Sequence, residues 1–175
     1  MALQTALPTG SWVLDPTRAV VAFSGRVSRL APVFRAAFTK VSGCIGDVVA
    51  GAPTSLAIEV DVRSLTTGNR AWDDLLRTLD PFDVRRCPTA TYSGSADLAV
   101  GSRVAVAGGL ELRGVRQPVS LLAQLQSRGA DEVVVTATGA VDRRAFGVRC
   151  DLPGIGRLVP AVMRLDITVT AVRTS

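Results

Sequence analysis

The sequence predicts an all-β fold: an antiparallel barrel of about eight strands with one short α-helix, over about residues 69–79, near one end. Three observations carry this expectation. Apolar and polar side chains alternate in several separate stretches. Glycine-containing turns only a few residues long divide those stretches. A single segment switches to three- and four-residue spacing. Strands joined by such short connections run antiparallel.

The alternation is plainest from Leu56, where Leu56, Ile58, Val60 and Val62 fall on one face and Glu59, Asp61 and Arg63 on the other. It recurs near the C-terminus, where Met163, Leu165, Ile167, Val169 and Ala171 alternate with Arg164, Asp166, Thr168 and Thr170. Between these lie strands predicted over Arg103–Leu112, Val119–Gln126 and Glu132–Val141, parted by Arg113-Gly114 and by Arg128-Gly129-Ala130-Asp131. Earlier in the chain, Trp12–Leu14, Arg18–Arg26 and Phe38–Val49 carry β-branched and aromatic strand formers, with Pro16 and Pro32 marking breaks. Thr89–Ser93 completes the set. In the helical segment Trp72, Leu75, Leu76 and Leu79 share a face, Thr67 or Asn69 supplies an N-cap, and Asp80-Pro81 ends it.

A chain of 175 residues with 47% hydrophobic and 20% charged residues is large and apolar enough for a sizeable core. No linker or composition shift divides it, so one domain over residues 1–175 is expected. No apolar run reaches the ~20 residues of a membrane-spanning helix. The first residues lack a basic region followed by an apolar one, so a cytoplasmic location is expected. Histidine is absent, which removes the usual general base and metal ligand in one stroke. Cys44, Cys87 and Cys150 lie far apart with no CxxC pair, and are read as buried small apolar residues. No catalytic residue, metal or cofactor is therefore expected.

The formal charge is +5 and Lys40 is the one lysine, so arginine carries the positive charge. Arg70, Arg77, Arg85 and Arg86 cluster around the predicted helix and its exit. Guanidinium groups there suit a phosphate headgroup or an anionic membrane surface. Nucleic acid is not an expected partner, because aromatic residues make up only 5% of the chain and do not interleave with the arginines. Ser64, Thr66, Thr67 and Asn69 form a hydroxyl-rich loop suited to satisfying its own backbone and capping the helix. Asp142 and Arg143 adjoin a strand end and read as a structural charge pair or turn contact. Phe23, Phe34, Phe38, Trp72, Leu76, Phe82, Tyr92 and Phe146 are the large apolar side chains expected to face the barrel interior or its lid. Periodicity alone leaves open whether that interior is filled or hollow.

Four blocks of the sequence resemble the YceI-like family of lipid-binding proteins, over nearly the whole chain. They are Trp12-Val-Leu-Asp-Pro with Val21 and Phe23; Ser64-Leu-Thr-Thr-Gly-Asn69 followed by Asp73, Leu76, Arg77, Asp80, Phe82, Asp83 and Pro88; Gly109 to Val119; and Gly139 to Val148. The resemblance implies a lipocalin-like barrel that holds a polyisoprenoid, isoprenoid quinone or similar long-chain lipid, as carrier or store, with no cofactor beyond such a ligand. It implies a cavity lined by Phe23, Phe34, Phe38, Trp72, Leu75, Leu76, Phe82, Tyr92 and Phe146, and a homodimer. Positions where relatives often carry histidine are here Arg18, Val27 and Leu75, and the arginine usual before Asp73 is Trp72, so the helix face is more apolar. Two other readings compete. One is a filled barrel that docks a partner or a membrane surface; the other is a lipid-modifying enzyme using Asp142, Arg143 or a cysteine.

Overall fold

The computed structural model describes residues 6–99, 101–127, 129–150 and 159–174. Its strands are β1 (Gly10–Gly25), β2 (Phe34–Phe38), β3 (Val41–Val48), β4 (Thr54–Asp61), β5 (Leu65–Thr66), β6 (Thr89–Ala96), β7 (Arg103–Leu112), β8 (Val115–Ser127), β9 (Glu132–Asp142) and β10 (Val162–Arg173), with helix α1 (Arg70–Leu79) between β5 and β6. Pairing runs β1-β3-β4-β6-β7-β8-β9-β10 and returns to β1, closing an antiparallel eight-stranded barrel. Closure leaves those eight strands no free edge. The short β2 and β5 extend it at one end.

The expected strands are present, with three differences. The Trp12–Leu14 and Arg18–Arg26 stretches are one strand. Five residue steps along β1, from Leu14 to Ala19, span two steps along β10, from Ala171 to Val169, so the excess bulges outward at Pro16. This odd step resets the alternation, and Leu14 and Ala19 both point inward and are buried. Asp15 secures the bulge by accepting from the Thr17 N–H and hydroxyl and from Arg18 Nε. These bonds hold its carboxyl at about 2, well below the usual value.

The predicted Phe38–Val49 strand is instead two, β2 and β3, broken at Thr39-Lys40. Both pair with β1, β3 near its start and β2 along its second half. At the break Ser64 Oγ accepts from the N–H groups of Thr39 and Lys40 at 3.1 and 3.0 Å, and donates to the Asp61 carbonyl at 2.6 Å. One hydroxyl thus satisfies the donors that the interrupted ladder leaves. The third difference is that Val62 does not continue β4 but turns into a short 3₁₀ segment, Val62–Ser64.

Turn chemistry matches the closures. Leu112 pairs with Val115, leaving Arg113 and Gly114 as a two-residue loop, and both have positive φ, as the tight hairpin turn demands. Arg113 also donates to the Gly147 carbonyl. Arg128 in the other predicted turn lies outside the described residues, as do Met1 to Thr5.

Candidate functional site

The two ends of the barrel differ. At the end holding the start of β1, Leu7, Trp12, Leu14, Val48, Leu98, Leu125, Val133 and Ala171 are buried and pack together. At the other end lie α1, β5, the 3₁₀ turns and the Arg113-Gly114 hairpin, and there several inward side chains of the same strands are only half-buried, although Val60, Tyr92, Val119, Leu121 and Met163 are buried. On β1, burial falls from Trp12 and Ala19 to Val21 and Phe23; on β10 it falls from Ala171 and Val169 to Ile167 and Leu165. Ile58, Leu110, Leu112 and Val141 behave alike. The surface they leave uncovered faces an internal cavity of about 130 Å³ whose exposed wall is wholly apolar.

Seven of the nine residues expected at a cavity line this one: Phe23, Phe34, Phe38, Leu76, Phe82, Tyr92 and Phe146. Four of the five phenylalanines form a connected series along the cavity wall. Phe23 meets Phe34 and Phe38 with ring centroids 6.3 and 5.5 Å apart, and Phe38 meets Phe82 edge-on at 5.7 Å. These are favourable aromatic separations. Phe82 reaches the series because α1 ends at Asp80, in the left-handed conformation with its N–H on the Leu76 carbonyl, and the chain doubles back there. Tyr92 lies across the interior with its hydroxyl on the Val119 carbonyl at 2.9 Å, and burial raises its pKa. Gly108 makes room for it, since a Cβ there would stand 2.6 Å from the Tyr92 hydroxyl.

Trp72 and Leu75 do not line the cavity. On α1 only Leu76 is buried, and Trp72 sits half-buried in a surface groove with Phe34, Arg35 and Val159. An amphipathic helix lying across an opening presents one row inward, and that row is Leu76 here. Much of the lining comes instead from aliphatic residues not singled out in the sequence as cavity-facing: Val21, Ile58, Val60, Leu65, Leu110, Leu112, Val119, Leu121, Val141, Leu165 and Ile167, joined by Met163, Val148 and Val159. Their signal was the alternation itself, read at the end of each strand nearer the helix.

The loop carrying the helix satisfies itself as expected. Asn69 Oδ1 accepts from the N–H groups of Ala71 and Trp72. Asp73 accepts from Thr66 Oγ1 at 2.9 Å and from Thr67 N–H and Oγ1 at 2.7 Å each, which ties α1 to β5. Bonds from Thr67 chiefly, opposed by slight desolvation, hold the Asp73 carboxyl below its ordinary value.

Asp142 does not pair with Arg143. It caps the 3₁₀ turn Arg143–Phe146 through the Arg144 N–H and forms its ion pair with Arg144, at 2.9 Å. Arg143 donates to three main-chain carbonyls, of Pro160, Val148 and Val159, at 2.9, 2.9 and 3.2 Å. Its stem lies on the cavity wall while its nitrogens contribute none of the cavity surface. These bonds make it a structural clip between the 3₁₀ turn and the chain before β10.

Arg70, Arg77, Arg85 and Arg86 are all exposed around the helix and its exit. Arg77 pairs with Asp74 at 2.7 Å, and Arg86 approaches Asp83 at 3.9 Å. The cysteines are not a buried set: Cys44 is exposed on the outer face of β3, Cys87 is half-buried, and Cys150 lies half-buried at the cavity wall. Among the described residues no group of three cysteines or carboxylates is placed to hold a metal ion.

Residues 12–171 match the family model described as the YceI-like domain. The chain belongs to the YceI-like family. Relatives include the UPF0312 protein plu2095 of Photorhabdus laumondii, 28% identical over 106 residues, which are 58% of this chain and 55% of that protein. Protein YceI of Salmonella arizonae is 25% identical over 114 residues, 62% of this chain and 60% of the relative. The chain thus spans little more than half the length of these curated relatives. Among solved structures, Burkholderia cenocepacia BcnA superposes with a TM-score of 0.75 at 21% identity, covering 90% of this chain and 98% of its own. A polyisoprenoid binding domain from Saccharophagus degradans gives 0.73 at 18% identity, covering 93% and 98%. At these identities both show a shared YceI-like barrel fold.

Proposed function

We propose that this YceI-like barrel binds a long apolar molecule, a polyisoprenoid, isoprenoid quinone or similar long-chain lipid, in its hollow half, as a carrier or store and not as an enzyme. The observation that carries this reading is a wholly apolar cavity beneath α1 onto which Val21, Phe23, Ile58, Leu110, Leu112, Val141, Leu165 and Ile167 point inward while only half-buried. Folded domains normally fill such space, because each uncovered side chain forgoes contact energy. The polyisoprenoid-binding description of the Saccharophagus degradans relative supports the class of ligand.

Physical chemistry favours a chain over a compact polar molecule. Each buried methylene contributes about 0.8 kcal/mol, so one prenyl unit gives about 3–4 kcal/mol gross. A wall with no polar surface adds no directional contacts, so length and width select the guest. A volume of about 130 Å³ compares with a cavity of about 150 Å³ that holds one benzene. A long chain therefore enters by repacking the mouth, where Phe34, Phe82 and Met163 line the space. The same small volume is what favours the rival reading, a barrel filled by its own side chains that works through its surface.

Extraction of the purified protein with organic solvent, followed by mass spectrometry against a blank of an unrelated protein from the same host, separates the two. A stoichiometric isoprenoid or long-chain lipid is expected. A clean extract from a protein that also refuses added polyprenyl chains contradicts the proposal.

A further inference from the structure

The cavity contains no polar surface, so a ligand's headgroup has to be met outside it, and two surface grooves flank α1 where the chain would emerge. The first runs along the C-terminal half of the helix and shares Leu65, Leu76, Pro81 and Phe82 with the cavity. It holds Arg63, Arg77 and Arg85, but also Asp73 and Asp80. Arg63 is bound to Asp61 and Arg77 to Asp74. Counting those partners, carboxylates outnumber guanidinium groups there, and an anion gains little.

The second groove lies between the first turn of α1 and the chain leading into β2. It shares Phe34 and Val159 with the cavity, so the two spaces adjoin at those side chains. Among the described residues its charged group is Arg35 and no carboxylate lines it; Arg35 also borders an outer-face hollow with Asp166, whose carboxylate pairs with Arg164. Arg35 makes no ion pair among the described residues, as Arg70 and Arg85 also make none, but Arg35 has no carboxylate among the described lining of its groove, whereas Arg85 shares its groove with Asp73 and Asp80. Trp72 forms a wall beside it, half-buried, an amphipathic ring at the step from apolar interior to water.

We propose that this second groove is the headgroup subsite: the chain of an anionic amphiphile passes Phe34 into the barrel while its oxyanion, phosphate or carboxylate, rests on Arg35 beside Trp72. The inference rests on the lipid-binding reading above and adds to it the exit path and the charge class of the ligand. A guanidinium without a carboxylate partner keeps its forked N–H groups available for bidentate contact with an oxyanion. It also places the recognition of the head on the opposite side of the helix from Arg77 and Arg85.

The test compares binding of farnesyl phosphate and farnesol, and of palmitate and hexadecanol, to the full chain and to its Arg35→Gln, Arg35→Glu and Arg85→Gln variants. Arg35 is exposed, so its variants fold, and retained binding of the neutral alcohols confirms that in the same experiment. The expected result is that Arg35→Gln weakens an anionic ligand about tenfold, with a larger loss in Arg35→Glu. Alcohol binding and Arg85→Gln stay at the wild-type level. Loss confined to farnesyl phosphate assigns a phosphate head, and loss confined to palmitate a carboxylate. Anion binding that is unchanged in both Arg35 variants, or that falls in Arg85→Gln instead, overturns the subsite while leaving the lipid-binding reading intact. A wild-type protein that takes up none of the four ligands overturns both.

Discussion

The packed and hollow halves of this barrel are built from the same strands with the same alternation. In the packed half, Trp12 on β1 is 1% exposed and Ala171 on β10 is fully covered. In the hollow half, Phe23 on β1 and Leu165 on β10, paired to each other in register, are each half-buried although they point inward. Alternation therefore sets which way a side chain points, while the size of what it meets sets whether the space is filled. The packed end is plugged by an indole and by the N-terminal Leu7, whose N–H bonds to the Leu98 carbonyl. The hollow end is roofed by a helix that sends in one buried leucine. One half is close-packed, and the other forgoes contact energy, which the proposed function reads as room kept for a guest.

The sharpest way to break this comparison is to delete from each half. Trp12→Ala removes the largest plug, whose indole N–H also binds the Pro8 carbonyl. It is expected to cost about 3–5 kcal/mol in urea unfolding. Ile58→Ala removes a side chain that already borders the cavity. The expected loss is smaller, about 2 kcal/mol, at the low end for an isoleucine truncation because the side chain is only half-buried, with uptake of farnesol kept or increased. Equal losses from the two variants contradict the division into packed and hollow halves.

A smaller effect concerns how each half is secured against acid. Asp15 fixes the β1 bulge and Asp73 ties α1 to β5, and both carboxyls titrate below their unfolded values. A lowered folded value means that the stabilisation is complete above the unfolded pKa of about 4 and disappears as pH falls through the folded one. Urea unfolding between pH 6 and pH 2 is expected to show a shallower acid-side decline in Asp15→Asn and in Asp73→Asn than in the wild type. Only Asp73→Asn, at the roof, is expected to alter ligand uptake near neutral pH, because Oδ2 accepts from Thr66 and Oδ1 from Thr67 and the amide keeps only one acceptor oxygen.

Much of this architecture was legible in the sequence. Period-two runs marked β4 and β10, glycine-containing turns parted β7, β8 and β9, and the spacing of Trp72, Leu75, Leu76 and Leu79 marked α1, because those patterns follow directly from backbone geometry. The bulge at Asp15–Arg18 and the break at Thr39-Lys40 were not, since each is decided by a partner distant in sequence: β10 for the first, Ser64 for the second. The phenylalanine series was readable as a set of apolar side chains, yet its connectivity depends on the chain reversal at Asp80. Trp72 and Leu75 were misplaced because helical periodicity gives a face but not the depth to which each residue sinks. Arg143 gave no hint of its carbonyl partners, and Arg35 gave none of its groove, because neither is visible from neighbours in sequence. Whether the interior is hollow lay beyond periodicity altogether, since Val133 and Val141 alternate alike on β9 while only the second borders the cavity.

The central claim, that the hollow half is a binding chamber, is tested most directly by filling it. Ile167 lies on β10 against the cavity, between Val21 of β1 and Ala137 of β9. Equilibrium uptake of farnesol is measured on the wild type and on Ile167→Trp, with thermal unfolding of both. The chamber account predicts stoichiometric uptake by the wild type and its loss in Ile167→Trp at an unfolding temperature equal to or above the wild type's. Uptake that survives the added indole, or is absent from a folded wild type, contradicts it.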